Sequence, residues 1–478
     1  MFEFKKMENK LAVKNCRDMG IITRPAGNGY YLSILPVLCH SVNVWGRDKL
    51  PVDLAYKRST ILCFGLFLQS LATFLSLRGR TSARSATKLL YLTCTAASTA
   101  FLFWVCLKDN VAIGLASATA GIVLYDLVYF RILRRMPKCF TLGEASIICQ
   151  GFVVFLYNAF LKVPRLLLDG KAPPMVNQLA LIMQIIVLGA CVVITLCHFV
   201  KLLRKTFLFW LLAIAVMGSA TLFPIFGQPA LIVVVQFILH EPKRMQIVSL
   251  YLTMLLLTII FVVWQIRKSS STNTTTRKIF HLLIVLVYLP GLWYQCTILY
   301  VGSGFMLALL LLLETCRLVK LAPIYGTLDR AVACFIDEKD AGAVALTPIY
   351  LLVGCSMPLW IHPVPCDLTD SAGLDLLKLM AGVLSVGIGD TMASVCGFYL
   401  GRHRWPGSVK SVEGTLGCML GQVATIYALF HFRYVQLNTL KAATAGVAII
   451  VNSLIEARTD QVDNLVIPFV TYIILGTA

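Results

Sequence analysis

Residues 179–200 read Leu179-Ala-Leu-Ile-Met-Gln-Ile-Ile-Val-Leu-Gly-Ala-Cys-Val-Val-Ile-Thr-Leu-Cys-His-Phe-Val200, without a single Asp, Glu, Lys or Arg. About 20 such residues in a helix cross the hydrocarbon core of a bilayer. Stretches of the same character recur from Ile61 almost to the C-terminus. The chain of 478 residues is 58% hydrophobic and 14% charged, whereas an ordinary soluble domain carries about 25% charged residues. The expected fold is therefore all-α, a polytopic integral membrane protein with about 14–16 transmembrane helices. The outermost candidate spans are 30–46, the weakest, and 464–477. The first 20 residues are polar and precede no apolar core with a cleavage site, so internal helices are expected to direct insertion.

Formal net charge is +19, and the basic residues gather in short connections such as Arg78, Arg80, Arg84 and Lys88, or Arg131, Arg134, Arg135 and Lys138. Retention of positive loops in the cytosol accounts for that excess. No nucleic-acid partner is needed to explain it, although an anionic nucleotide or lipid phosphate would gain from it locally. The 16 cysteines form no C-x-x-C pair and the seven histidines no H-E-x-x-H. Neither a disulfide framework nor a zinc site is expected, and the cysteines read as small buried hydrophobes.

The two halves differ. From 61 to 265 the apolar segments contain almost no ionisable groups; after Arg267-Lys268-Ser-Ser-Ser-Thr-Asn-Thr-Thr-Thr the charges interrupt the apolar pattern at particular places. That polar, low-complexity stretch cannot pack a core of its own. It divides the chain into an N-terminal multispan region, 1–266, and a C-terminal region, 267–478, in which function is expected.

The most informative segment runs from Gly387-Ile-Gly389-Asp390-Thr391 through Gly401-Arg402-His403-Arg404-Trp405-Pro406-Gly407-Ser408-Val-Lys410-Ser411-Val-Glu413-Gly414-Thr415. A carboxylate such as Asp390 inside an apolar run costs about 2.5–3.5 kcal/mol on insertion scales, so it must face protein or a water-filled cavity. In the loop that follows, glycines expose backbone N–H groups and Arg402, Arg404 and Lys410 can neutralise phosphate oxygens. The loop reads equally as a triphosphate cradle or as a positive-inside connection; it is not a Walker loop. Arg277, Lys278 and His281 can share one helix face, with snorkelling basics as the plain alternative. Glu314 and Arg317 are spaced to pair. Asp337 and Asp340, in Phe335-Ile-Asp-Glu-Lys-Asp340-Ala-Gly342, can serve Mg²⁺ or form an ordinary solvated loop. Glu456 and Asp463 would lie on one face of a continuous helix.

In order along about 200 residues, these segments resemble the dolichol kinase family of CTP-dependent polyprenol kinases. The matching pieces are Arg277-Lys278-x-x-His281, Phe335 to Gly342, Thr347-Pro-Ile-Tyr350-Leu-Leu-x-Gly354, Gly389-Asp390-Thr-x-Ala-Ser394, Arg404-Trp405-Pro406-Gly407 through Lys410 and Glu413-Gly414-Thr415, and Glu456 through Asp463-Asn464. Pro348 departs from the family, which carries His in T-H-I-Y. The resemblance implies a kinase that moves the γ-phosphoryl group of CTP to dolichol, giving dolichyl phosphate for glycosylation. It implies that 398–413 binds CTP, through Arg402, His403, Arg404, Trp405, Pro406, Gly407, Ser408, Lys410, Ser411 and Glu413, and that Asp390, Arg277 and Lys278 belong to the catalytic site. Asp337, Asp340 or Asp390 is then the candidate proton acceptor. Mg²⁺ or another divalent cation on Asp390 and Glu413 would serve the phosphates, with His281, Glu456 and Asp463 as further site candidates. An endoplasmic reticulum membrane, with the CTP site facing the cytosol, follows from the same resemblance. The competing readings are a cytidylyltransferase that forms a CDP-lipid and an ion-coupled transporter using Asp390 and Glu456. The sequence carries no signal of oligomeric state.

Overall fold

The computed structural model describes residues 14–45, 52–78, 85–168, 174–225, 227–268, 272, 274–336, 339–367 and 369–477. Where water cannot reach the backbone, its polar groups must bond within the segment, and the helix does this alone. Accordingly, the regular elements described are helices, apart from a two-residue antiparallel ladder, Pro224–Ile225 (β1) with Gln228–Pro229 (β2).

The first half supplies α1 (Leu35–Trp45), α2 (Leu54–Arg78), α3 (Ser85–Leu107), α4 (Val111–Arg135), α5 (Leu142–Leu168), α6 (Met175–Phe199), α7 (Thr206–Leu222), α8 (Ala230–Leu239) and α9 (Pro242–Lys268). The second supplies α10 (Thr274–Arg277), α11 (Ile279–Tyr294), α12 (Cys296–Val319), α13 (Tyr325–Phe335), α14 (Thr347–Ile361) and α15 (Leu376–Leu379). A π-helical run, Val383–Asp390, follows, and then α16 (Thr391–Leu400), α17 (Val412–His431), α18 (Thr439–Arg458) and α19 (Asp463–Leu475). Among the described residues nine helices are long and apolar enough to cross a membrane and five shorter apolar helices accompany them, the lower end of the expected number. The expected span at 30–46 is corrected. It is a 3₁₀ turn, Tyr30–Ile34, and then the 11-residue α1, which at about 17 Å is too short to cross and packs against α2 and α19.

Helices α2 to α5 pack on one another, and α6 lies between α7 and α12. In the second half the π-helical run is central, touching α11, α14, α17, α18 and α19. One core joins Leu62, Tyr125 and Cys149 to Leu292, Leu384 and Tyr472, so packing continues across the 266/267 boundary.

The two ends of the bundle differ in charge. Helices α2, α4, α6 and α9 finish in Arg78, Arg134-Arg135, His198 and Arg267-Lys268, and α11 opens directly after Lys278 at the same end. At the opposite end, just beyond Tyr294, Cys296 and Cys366 form a disulfide. Here the reading of every cysteine as a small hydrophobe is corrected. The partners are separated by 70 residues, so local spacing carries no signal. The α11–α12 turn and the 366–372 loop are brought together by Ala372 N–H donating to Leu292 O (2.7 Å) and Cys296 N–H to Asp370 O (2.9 Å).

Candidate functional site

The site is built around the π-helical run. A Cβ on Gly389 would lie 2.9 Å from Gln422 Nε2 and 3.1 Å from Cys418 Sγ, so glycine is what lets the run settle against α17. Widened turns of this kind are rare and concentrate at functional sites. Asp390, the last residue of the run, is buried where the surrounding helices converge. Lys278 Nζ donates to Asp390 Oδ2, and His281 Nε2 stands 3.1 Å from the same oxygen. Lys278 and His281 flank the start of α11, one turn apart, so a single helix face presents both cations to the carboxylate.

A second group adjoins it. Lys410 Nζ donates to Glu456 O (2.7 Å) and lies 3.5 Å from Glu456 Oε1 and 3.7 Å from Asp463 Oδ2. Lys339 Nζ donates to Asp463 Oδ2 (2.6 Å) and to Gln461 O (3.3 Å). Asp390, Glu456 and Asp463 are close enough to interact electrostatically with Lys410 and with one another. Burial alone would lower the Lys410 pKa, but the facing carboxylates outweigh it and hold the ammonium above its ordinary value. No continuous helix joins Glu456 to Asp463, as the separate spans at 440–456 and 464–477 imply: α18 ends at Arg458 and α19 begins at Asp463. The two carboxylates nevertheless meet, because both reach Lys410.

The loop between α16 and α17 is a small hairpin. Arg404 pairs with Ser411, Trp405 N–H donates to Lys410 O (3.0 Å), Val412 N–H to His403 O (2.8 Å), and Gly407 turns the tip at φ +73°. Its inner side is anchored by Trp405 Nε1 to Thr415 Oγ1 (2.9 Å) and Ser408 Oγ to Ala457 O (3.1 Å), with the Arg458 guanidinium 5.4 Å from the Trp405 ring. Ser411 caps α17 by accepting from Gly414 N–H. The hairpin thus turns Lys410 inward and leaves Arg402, His403, Arg404, Pro406 and Gly407 exposed.

Other expected residues sit apart from the carboxylate cluster. Glu413 accepts from His403 Nδ1 (2.6 Å) and His403 N–H (3.1 Å) at the outer rim. Arg277 donates to Ile336 O (2.9 Å). Asp340 accepts from Leu346 and Thr347 N–H (3.0 and 3.2 Å) at the start of α14, where Pro348 needs no N–H partner. Asp337 lies outside the described residues. Glu314 and Arg317 pair at 2.6 Å.

Lys339 was within a quoted segment yet given no role. Beneath the site, Gln422 and Asn452 bond reciprocally (3.1 and 2.8 Å), Asn452 also donates to Thr471 Oγ1 (3.2 Å), and Cys418 Sγ stands 3.3 Å from Glu456 Oε2. Two amides inside apolar helices were the available signal for this floor.

Chemically the cluster offers three lysines and a histidine to bind phosphate oxygens and carboxylates to hold a cation or take a proton. Helices α11, α14, α17 and α19 all begin at this end, and helix N-termini favour anions. Among the described residues no three His, Cys, Asp or Glu side chains form a metal cage. The donor set suits instead a divalent cation that keeps one or two carboxylates and takes its other ligands from phosphates. Buried His281 Nδ1 and Asn464 Oδ1, both without a protein partner, are polar enough for such a hydrated guest.

A family model described as Dolichol kinase matches residues 119–351. The chain is 34% identical to dolichol kinase of Mus musculus over 371 residues, covering 74% of this chain and 68% of the relative. It is 31% identical to the Bos taurus enzyme of that name over 386 residues, 77% and 71% of the two chains. With dolichol kinase EVAN of Arabidopsis thaliana it shares 26% identity over 394 residues, 74% and 68%. No solved structure matches the chain.

Proposed function

The chain belongs to the dolichol kinase family, and on that premise we infer that the cluster around Asp390 transfers the γ-phosphoryl group of CTP to the terminal hydroxyl of dolichol. The protein is a membrane-embedded phosphotransferase acting on dolichol. The observation that carries the site assignment is the meeting of Asp390, held between Lys278 and His281, with Lys410 turned inward by its hairpin.

Phosphoryl transfer asks the protein for positioning and charge neutralisation rather than covalent chemistry. Lys410 and Lys278 take the inner phosphate oxygens, and Arg402 and Arg404 screen the triphosphate from the rim. Trp405, fixed by Thr415, holds the hairpin against the helix ends. Asp390 is the proton acceptor: as the dolichol oxygen bonds to the γ-phosphorus and the bond to the β-phosphate oxygen breaks, the hydroxyl proton passes to its carboxylate and CDP leaves. Asp340 is occupied in capping α14 and is less suited to that task. A divalent cation borne by the nucleotide would be held by Asp390 and Asp463, with Glu413 reached only from the rim, and would neutralise the β- and γ-phosphate oxygens. The division at 266/267 is one of chemistry, since the acting side chains lie beyond it while the packing does not stop there.

The site opens at the basic end, and the Cys296–Cys366 disulfide lies at the other. Disulfides persist in oxidising compartments and basic loops stay in the cytosol. Both support an endoplasmic reticulum membrane with the CTP site on the cytosolic face and the disulfide in the lumen.

The test is transfer of label from γ-labelled CTP to dolichol by purified protein in detergent, beside Asp390→Ala and an ATP control. Label in the lipid with CTP and intact Asp390 is expected. Label entering only from the α-position of CTP, into phosphorylated lipid, would replace the reading with cytidylyl transfer.

A further inference from the structure

The turn that separates Glu456 from Asp463 is held by the first half of the chain. Arg24 and Glu144 form a buried ion pair, Arg24 NH2 to Glu144 Oε1 at 2.6 Å. Neither partner stops there. Arg24 NH2 also donates to Asp460 O (3.0 Å), and Glu144 Oε1 accepts from Val462 N–H (2.9 Å). Glu144 already serves Thr141 N–H through Oε2 (2.9 Å) while its own N–H donates to Thr141 Oγ1 (3.2 Å), the reciprocal arrangement that starts a helix. In most such boxes the carboxylate has finished its task at that point; here its other oxygen reaches across to the 459–462 turn. Gln461 completes the junction, accepting from Thr141 Oγ1 (2.7 Å) and donating to Gly27 O (2.9 Å).

A buried ion pair is weak evidence for stability, since apolar pairs of similar volume often replace one without loss. What an apolar pair cannot replace are the two bonds to Asp460 O and Val462 N–H. These set where the turn lies, and on its flanks stand the carboxylates that face Lys410 and, through Gln461 O, the anchor of Lys339.

We propose that Glu144 and Arg24 are positioning residues for nucleotide binding, fixing the 459–462 turn so that Asp463 and Glu456 hold Lys410 and Lys339 in register for the triphosphate. The proposal rests on the assignment of Lys410 to the CTP phosphates. It gives the N-terminal half a part in the chemistry that none of its own sequence patterns announces.

The experiment compares full-length protein with Arg24→Met/Glu144→Leu, Glu144→Gln, Thr141→Val/Gln461→Leu and Lys410→Ala, measuring the thermal midpoint, kcat, and the KM for CTP and for dolichol separately. The apolar double variant is expected to fold with a midpoint near the parent's while its KM for CTP rises about tenfold and its KM for dolichol stays put. Glu144→Gln, which keeps shape and an acceptor oxygen, should show only a small part of that rise. If the apolar double variant does not fold, Thr141→Val/Gln461→Leu, which leaves the ion pair in place, should raise the CTP KM severalfold. A folded variant with the parent's CTP KM, beside a Lys410→Ala variant that has lost it, overturns the positioning role alone. A Lys410→Ala variant with unchanged CTP KM overturns the site assignment, and the positioning role falls with it.

Discussion

Several helices of the first half are long: α2, α4 and α6 have 25 residues each and α5 has 27. Three helices around Asp390 form a shorter group, with 16 residues in α11, 15 in α14 and 13 in α19, beside α17 and α18 at 20 residues each. At 1.5 Å per residue the first group reaches about 37–40 Å and the second only about 20–24 Å, against a hydrocarbon core of about 30 Å. The first group is long enough to span and the second is not; the short helices open at the end of the bundle where Lys278 meets Asp390 and Asp463 meets Lys410 of the hairpin. The comparison teaches that short helices and charged side chains gather at one end of a core that runs through both halves.

The contrast breaks most readily at two intramembrane carboxylates. Asp390→Asn is expected to lower kcat by about 10³-fold, the range of a lost proton acceptor, with the chromatographic profile of the parent. Asp126→Asn, in the long-helix half where the carboxylate accepts from Gln69 Nε2 (2.9 Å), should leave kcat within a few-fold; an equal loss there would dissolve the distinction. Next in size, Lys410→Met should raise the KM for CTP by about 10–100-fold, as expected for a charge-assisted hydrogen bond of about 1.5–3 kcal/mol, while Lys88→Met leaves it alone. Cys296→Ser should cost about 2–4 kcal/mol of stability, read as a lower thermal midpoint, with turnover per folded molecule retained because the disulfide lies at the far end. Smallest, His403→Ala removes an exposed partner of Glu413 and should change CTP KM less than about fivefold.

How much of this was legible followed from distance along the chain. Apolar runs gave the helices, and the charged motifs pointed to Asp390, Lys278, His281 and Lys410, which the structure brings near one another, because each signal is local. Glu456 and Asp463 come together across a break between two helices, a meeting that their seven-residue spacing does not encode. Lys339 was lost among its acidic neighbours. Cys296 with Cys366, and Arg24 and Glu144 with the 459–462 turn, are pairings of chain segments that no periodicity or spacing encodes. The segment at 30–46 reads as a span because its apolar composition says nothing of the 3₁₀ turn at Tyr30–Ile34 that precedes α1.

The Arg24 contact to Asp460 spans 436 residues. A ribosome adding about 5–20 residues per second needs about 20–90 s to travel from one partner to the other. Through that interval the long helices can be inserted and packed, but Glu144 lacks its bond from Val462 N–H, and Lys339 and Lys410 lack Asp463 beside the turn. The charged cluster therefore comes together late in synthesis, and a chain released before residue 460 lacks the turn that Arg24 and Glu144 hold.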